Sequence, residues 1–358
     1  MRPAFLRVQW GMGCSALSGS FFALEWRTDL VPVLGVVGTL VWDRILERDG
    51  RRHPVEEWGG VAYALSALAA ALPEGWTILP ILKVGRDLSE PAFHFLKEIP
   101  GLRDAGIVVV PEPNNRVELR YLDAERRTER ILGGVPPWTW PELAPLVEIT
   151  DALYVNFISG FEMDLDTATA LRRGYPGPMY GDLHSLFLSV TARGVRVPTP
   201  LGGWRDWLRC FDAVQMNDEE FRLLGHQGDD PWALVSSALG PELKLVTVTL
   251  GGEGVAYTAA PGFTPDPMAW SSLRTRVGTT GPARSGRVEV PGERREGDPT
   301  GCGDVWGATF YARLLGGDDL EPALRIANEQ AARNVEHRGA RGLYRYLKGG
   351  LSHMEETL

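Results

Sequence analysis

The stretch "DPTGCGDVWGATFYARLL", residues 298–315, sets two glycines around a cysteine and follows them with an aspartate at the opening of what reads as a helix. Each glycine gives up backbone entropy on ordering and returns no packing, so the pair implies that something approaches the backbone closely. A helix from about Asp304 to Leu315 offers free N–H groups and the positive end of its dipole at that point, which together make an anion site. Asp304 conflicts with a purely phosphate-binding loop, because a carboxylate repels a bound anion. The conflict disappears if that carboxylate takes a proton from a hydroxyl attacking phosphorus, which is general-base phosphoryl transfer. A helix cap is the plainer role for a lone aspartate at this position. The glycines on its N-terminal side favour the chemical one.

Other glycine patterns fail. Gly301 to Gly307 is spaced GxGxxxG, follows no apolar strand and lies too near the C-terminus to open a dinucleotide fold, which argues against a dehydrogenase. No GxxxxGK[ST] occurs, and the protein-kinase motif set is missing.

Upstream, apolar strand-like runs alternate with helical patterns. "LVPVLGVVGTLVWDRI" reads as a buried strand, "GGVAYALSALAAAL" as a helix of small and apolar residues, and "WTILPILKVG" as a second strand before the helix "LSEPAFHFLKEI". The alternation runs on through "DALYVNFIS", "PMYGDLH", "FDAVQMN" and "KLVTVTLGGEGVAYTA" to closing helices. It predicts an α/β fold with a mainly parallel sheet covered by helices. Residues 116–134, "RVELRYLDAERRTERILGG", instead alternate apolar and charged side chains. Val117, Leu119 and Tyr121 face one way and Glu118 and Arg120 the other, which is the pattern of a half-solvated antiparallel hairpin. With its turn near Asp123 to Arg126 and a further strand around 44–58, it reads as a small flap standing off the main sheet. Residues 258–297 lack periodicity and collect six arginines, which reads as an irregular insertion.

Composition narrows the function class. The 358 residues carry 37 basic and 46 acidic side chains, a net charge of −9 without long single-sign blocks, which argues against nucleic-acid binding. Three widely spaced cysteines, Cys14, Cys210 and Cys302, suit a reducing, cytoplasmic setting and neither a disulfide framework nor a zinc site. Glycines and serines dilute the apolar start of the chain, so residues 1–30 read as an N-terminal extension rather than an export signal. No uninterrupted apolar run reaches the length of a membrane span.

"DPTGCGD" and the small-residue helix after it resemble the C-terminal signature of the ribokinase-like (PfkB) carbohydrate kinases, and the resemblance extends from about Val33 to Leu347. Further motifs fall in family order: "GTLVWDRI", "WGGVAYAL", "VGRD", "MNDEEF", "VTLGGEGV" and "IANEQAA". The resemblance implies a three-layer α/β/α kinase domain over 31–348 with a β lid built from about 44–58 and 112–136. Asp304 would be the general base, and the backbone of Gly301, Cys302 and Gly303 the anion hole. Asp43, Gly59, Gly60 and Tyr63 would hold the acceptor. Asn217 and Glu220 would position Mg²⁺ through water, and with Thr249, Gly251, Gly254, Thr300 and Asn328 would line the nucleotide side. ATP and Mg²⁺ are the implied cofactors, with a monovalent cation left open. A sugar, sugar phosphate or nucleoside is the implied acceptor, and a homodimer through the lid an open arrangement. The alternative is a catalytically silent relative that binds sugar or nucleotide as a sensor or partner subunit. Two positions depart from the family: Ala64 stands where an asparagine is common, and Cys302 where alanine is usual. A thiol at a helix N-terminus can have a lowered pKa, which predicts a site sensitive to oxidation.

Overall fold

A computed structural model describes residues 31–46, 55–121, 127–274, 281–292 and 295–355. The extension read at 1–30 and the turn placed near Asp123 to Arg126 lie outside these residues. The main sheet has nine strands in the spatial order β15-β14-β13-β12-β9-β8-β1-β4-β5. In chain order these are β1 (Val33–Val37), β4 (Thr77–Gly85), β5 (Ile107–Val110), β8 (Ala152–Asn156), β9 (Met179–Asp182), β12 (Ala213–Asn217), β13 (Leu245–Thr249), β14 (Val255–Ala259) and β15 (Arg284–Val288). The pairs from β5 across to β13 are parallel, and β14 and β15 add an antiparallel edge.

Both faces of this sheet are buried. On β1, Leu34 and Val36 join one apolar cluster with helices α1 (Val61–Ala71), α2 (Ser89–Lys97), α9 (Cys302–Leu315), α10 (Leu320–Asn334) and α11 (Leu343–Glu355). Val33 and Val37 alternate to the opposite cluster, beneath α3 (Trp140–Val147), α4 (Leu165–Gly174), α5 (Trp204–Arg209) and α7 (Pro231–Ala238). The period-2 alternation of an apolar strand thus feeds two cores at once. Two short helices complete the set, α6 (Asp218–Phe221) and α8 (Trp270–Leu273). The three-layer arrangement read from the sequence is the observed one.

A separate sheet forms the flap, in the order β3-β2-β6-β7, from β2 (Leu40–Leu46), β3 (Val55–Gly60), β6 (Arg116–Tyr121) and β7 (Arg127–Leu132). Val117, Leu119 and Ile131 are buried on one side, while Arg44, Glu118 and Arg130 form a charge ladder on the other. Its root is fastened by polar bonds. Asn114 is fully buried, accepts from the Gly85 amide at 3.0 Å and donates to Leu40 O at 3.0 Å. Asp87 accepts from the Asn114 amide at 2.7 Å and from Arg116 at 2.6 Å. The "VGRD" motif therefore anchors the flap. A small hairpin of β10 (Leu188–Val190) and β11 (Arg196–Pro198) lies against β7, with the Ile131 amide donating to Gly194 O at 2.9 Å.

One expectation needs correction. The stretch 258–297 is not irregular throughout: it holds α8 and the edge strand β15, paired antiparallel with β14. The sequence hid that strand because an exposed edge of Arg, Ser, Gly, Arg and Val has no apolar face to alternate. Residues 275–280 and 293–294 lie outside the described set.

The chain runs outward from β1 to β4 and β5, then returns to β8 and proceeds the other way. The switch lies between β1 and β8, and open α/β sheets bind ligands at the carboxyl ends of the strands beside such a switch.

Candidate active site

Polar side chains cluster along that carboxyl edge. Asn156 ends β8, Asp182 ends β9, Asn217 ends β12 and Thr249 ends β13. Above them α9 begins. Gly301 caps it with φ +76, and a Cβ there would lie 2.3 Å from the Tyr63 ring. Only glycine suits both the left-handed backbone and the contact.

Asp304 lies in the first turn of α9, where its Oδ1 accepts from Asn156 Nδ2 at 2.8 Å. Burial raises its pKa to about 6 and the Glu220 charge adds to the rise, against the Asn156 hydrogen bond and His184, which favour the ionised form. Asp182 is buried as well. Burial first, then the charge of Asp304, moves it up to about 8. The two carboxyls titrate as a pair, so neither step belongs to one residue alone.

Asn217 and Glu220 form a reciprocal capping box at the start of α6. The Asn217 amide donates to Glu220 Oε2 at 2.7 Å, and the Glu220 amide to Asn217 Oδ1 at 2.9 Å. Glu220 Oε1 is also met by Asn217 Nδ2 at 2.5 Å and by His184 Nδ1 at 2.5 Å. Burial alone would lower the His184 pKa, but the Glu220 carboxylate reverses the direction and raises it. With both oxygens already accepting bonds, Glu220 fits Mg²⁺ only through water. Among the described residues no group of three His, Cys, Asp or Glu side chains could cage a metal. Mg²⁺ commonly keeps several waters and takes few carboxylates, so the outer-sphere arrangement suits it.

The loop before α9 is tied down locally. Thr300 donates from its amide and hydroxyl to Asp298 Oδ1 at 2.9 and 2.6 Å, and its carbonyl accepts from Asn334 at 2.9 Å. Cys302 departs from expectation in two ways. Its amide donates to Pro299 O at 3.1 Å, so it is not an open donor. Its thiol donates to Ala331 O at 3.3 Å, and burial moves its pKa up to about 11, which overturns the idea of a reactive thiolate. A helix start leaves its first amides without intrahelical partners, here those of Gly301, Gly303 and Asp304, and the Asp304 amide also meets its own carboxylate.

The nucleotide-side candidates fall in one neighbourhood. Thr249 pairs with Asn217 across β12 and β13. Gly251 and Gly254 both have positive φ, and a Cβ on Gly254 would lie 2.1 Å from Val288 O. Asn328 is buried and spends its amide on the Val288 and Glu289 carbonyls at 2.9 and 3.2 Å, while its Oδ1 accepts from Trp306 at 2.7 Å. It braces the wall beside Gly254 rather than offering a free amide.

On the flap side, Asp43 is buried, and a Cβ on Gly59 would stand 1.8 Å from its Oδ2. Gly60 carries φ +62 and caps α1. Tyr63 is 2% exposed with its ring against Gly301, which makes it a support of the glycine loop before α9. Next to this, Thr39, Lys83, Asn115, Trp138, Ser159 and Glu162 line a small polar cavity at the β1–β8 switch.

Sequence reading missed Asn156, Asp182, His184 and Gln215. For Asn156 and Asp182 the available signal was position, because in a parallel sheet a polar residue closing an apolar strand stands at the ligand edge; His184, just past β9, and Gln215, in the middle of β12, left no such signal.

The fold and this edge define the class, a ribokinase-like three-layer protein with a β lid. The pfkB family of carbohydrate kinases matches residues 192–344. A pyrophosphate-dependent kinase of the ribokinase family, solved as a sulfate complex, is 19% identical, with a TM-score of 0.66 over 88% of this chain and 99% of that one. A nucleoside kinase of Burkholderia thailandensis in complex with inosine is 15% identical, with a TM-score of 0.63 over 90% of this chain and 97% of that one. A putative ribokinase II of E. coli with ATP and Mg²⁺ is 16% identical, with a TM-score of 0.64 over 90% of this chain and 100% of that one. No curated protein sequence matches. Among the described residues, no helix is long and apolar enough to cross a membrane.

Proposed function

We propose that this chain transfers the γ-phosphoryl group of ATP to a hydroxyl of a sugar, sugar phosphate or nucleoside. Asp304 is the general base, and the amides at Gly303 and Asp304 stabilise charge on the phosphoryl group. One observation carries the reading: a carboxyl held by Asn156 at 2.8 Å shares the first turn of a helix with N–H groups at the ligand edge of the sheet, and burial moves its pKa up to about 6. Such a group is largely ionised at neutral pH and is a better base than an ordinary aspartate.

Asn156 orients the carboxylate through its 2.8 Å bond. Asn217 and Glu220 would hold Mg²⁺ through water, and the ion, when bound, would neutralise charge on the donor phosphates. Asp43 and the Gly59–Gly60 turn would receive the acceptor, with the flap excluding water.

The reading is tested with a panel of sugars, sugar phosphates and nucleosides, each supplied with Mg²⁺ and either ATP or pyrophosphate, read by ADP or phosphate release. Turnover of an alcohol acceptor with ATP supports it. Turnover with pyrophosphate alone would reassign the donor, and no turnover across the panel would favour the silent relative.

A further inference from the structure

The third glycine of the GxGxxxG spacing, Gly307, has no part in the chemistry above. It lies one turn inside α9, and a Cβ there would come within 2.0 Å of Gln215 Oε1. Gln215 stands on β12, two residues before Asn217, and is 2% exposed. Its Nε2 donates to Gly303 O at 2.9 Å, and its Oε1 accepts from the Tyr180 hydroxyl at 3.0 Å. Tyr180 is fully buried on β9 and stacks against Tyr154 and Tyr311. The amide therefore bridges β9, β12 and the first turn of α9.

We propose that Gln215 is a positioning residue for phosphoryl transfer, holding the anion loop in register with the Asn217–Glu220 turn. This rests on the kinase reading and extends it to a residue outside the reacting groups. The Gly303 carbonyl and the Asp304 N–H belong to one planar peptide, so fixing the oxygen fixes the direction of that N–H. The same strand carries Asn217, so one side chain sets the spacing between the open amides and the residues proposed to hold the cation. Gly307 is the opening that admits the amide, because any side chain there would displace it. A misplacement of about 1 Å in such a constellation can cost roughly 100-fold in rate.

The test uses the full chain. Gln215→Leu keeps the volume and removes both bonds, and is expected to lower kcat by roughly 100-fold with the acceptor KM held within about threefold. Tyr180→Phe, which leaves Gln215 in place but frees its Oε1, covers the case in which the first variant fails to fold. It is expected to lower kcat by about threefold to tenfold without moving the acceptor KM. Calorimetric binding of MgATP and of magnesium pyrophosphate gives a second readout that needs no turnover, and both should weaken about tenfold in Gln215→Leu. If the wild type turns over nothing, the kinase reading fails and the binding arm still decides the clamp. Variants that lose melting temperature while keeping kcat and polyanion affinity within about twofold would overturn the positioning role.

Discussion

Asn156 Nδ2 and Asp304 Oδ1 lie 2.8 Å apart, joining the end of a central strand to the first turn of the helix that follows the glycine loop. The residues are 148 positions apart in the chain. The bond donates to the ionised carboxylate, so it opposes the burial that raises the Asp304 pKa. Removing the donor in Asn156→Leu should therefore raise that pKa further. The acid limb of kcat/KM should move to higher pH and kcat should fall, as read from rate profiles. A limb that stays put or moves to lower pH would contradict the assignment.

The same pair of carboxyls predicts how stability depends on pH. Burial holds the Asp304–Asp182 pair above the ordinary carboxyl range, with steps at about 6 and about 8, so the pair binds protons more tightly in the fold than unfolded aspartates do. Their protonated forms favour the fold. That contribution is complete below the ordinary carboxyl pKa and is lost as pH rises through these two values. Asp182→Asn, which stays neutral, should melt roughly 2–4 °C above the wild type at alkaline pH, and the difference should vanish at acid pH. A uniform shift at every pH would show that packing, not ionisation, is responsible.

Gly59 is a steric requirement for Asp43. A methyl group there would sit 1.8 Å from Asp43 Oδ2, so Gly59→Ala must push the carboxylate out of place. If Asp43 holds the acceptor, the acceptor KM should rise about tenfold or more while the affinity for MgATP stays unchanged. Steady-state kinetics with each substrate varied separately distinguishes this from a general loss of fold.

At the opposite edge of the sheet, Asp212 is a structural node. Its fully buried carboxylate receives Arg172 at 2.9 Å, Lys244 at 2.8 Å and Arg274. Burial disfavours the charge, but the three cations outweigh it and hold the pKa well below the usual range. Its contribution is present above the ordinary carboxyl pKa and is lost as pH falls below it. Asp212→Ala would leave three cations without their common partner and should cost about 3–5 kcal/mol in denaturant unfolding. Activity per folded molecule should be retained, because the node is remote from the ligand edge.

How far the sequence could be read depended on which signal each residue left. Doubly buried strands announce themselves as apolar runs, so the main sheet was legible. The flap was legible from its period-2 alternation of apolar and charged residues. Strand β15 was not, because an exposed edge has no apolar stripe. Within the site, Asp304 stood out because it conflicted with its own glycine loop. Asn156, His184 and Gln215 raised no such conflict, and their importance comes from neighbours between 36 and 148 positions away. Cys302 was misjudged because its local position predicted a low pKa, while the packing of α10 against α9 buries the thiol and raises it.

The most direct test is Asp304→Asn, assayed with an acceptor identified from the panel. Asparagine keeps the shape and can still accept from Asn156, but it cannot take a proton. Turnover should fall by about 10³–10⁴-fold, with MgATP affinity by calorimetry within about threefold of the wild type. A variant that keeps turnover within about tenfold of the wild type would contradict the account, because some other group would then be removing the proton.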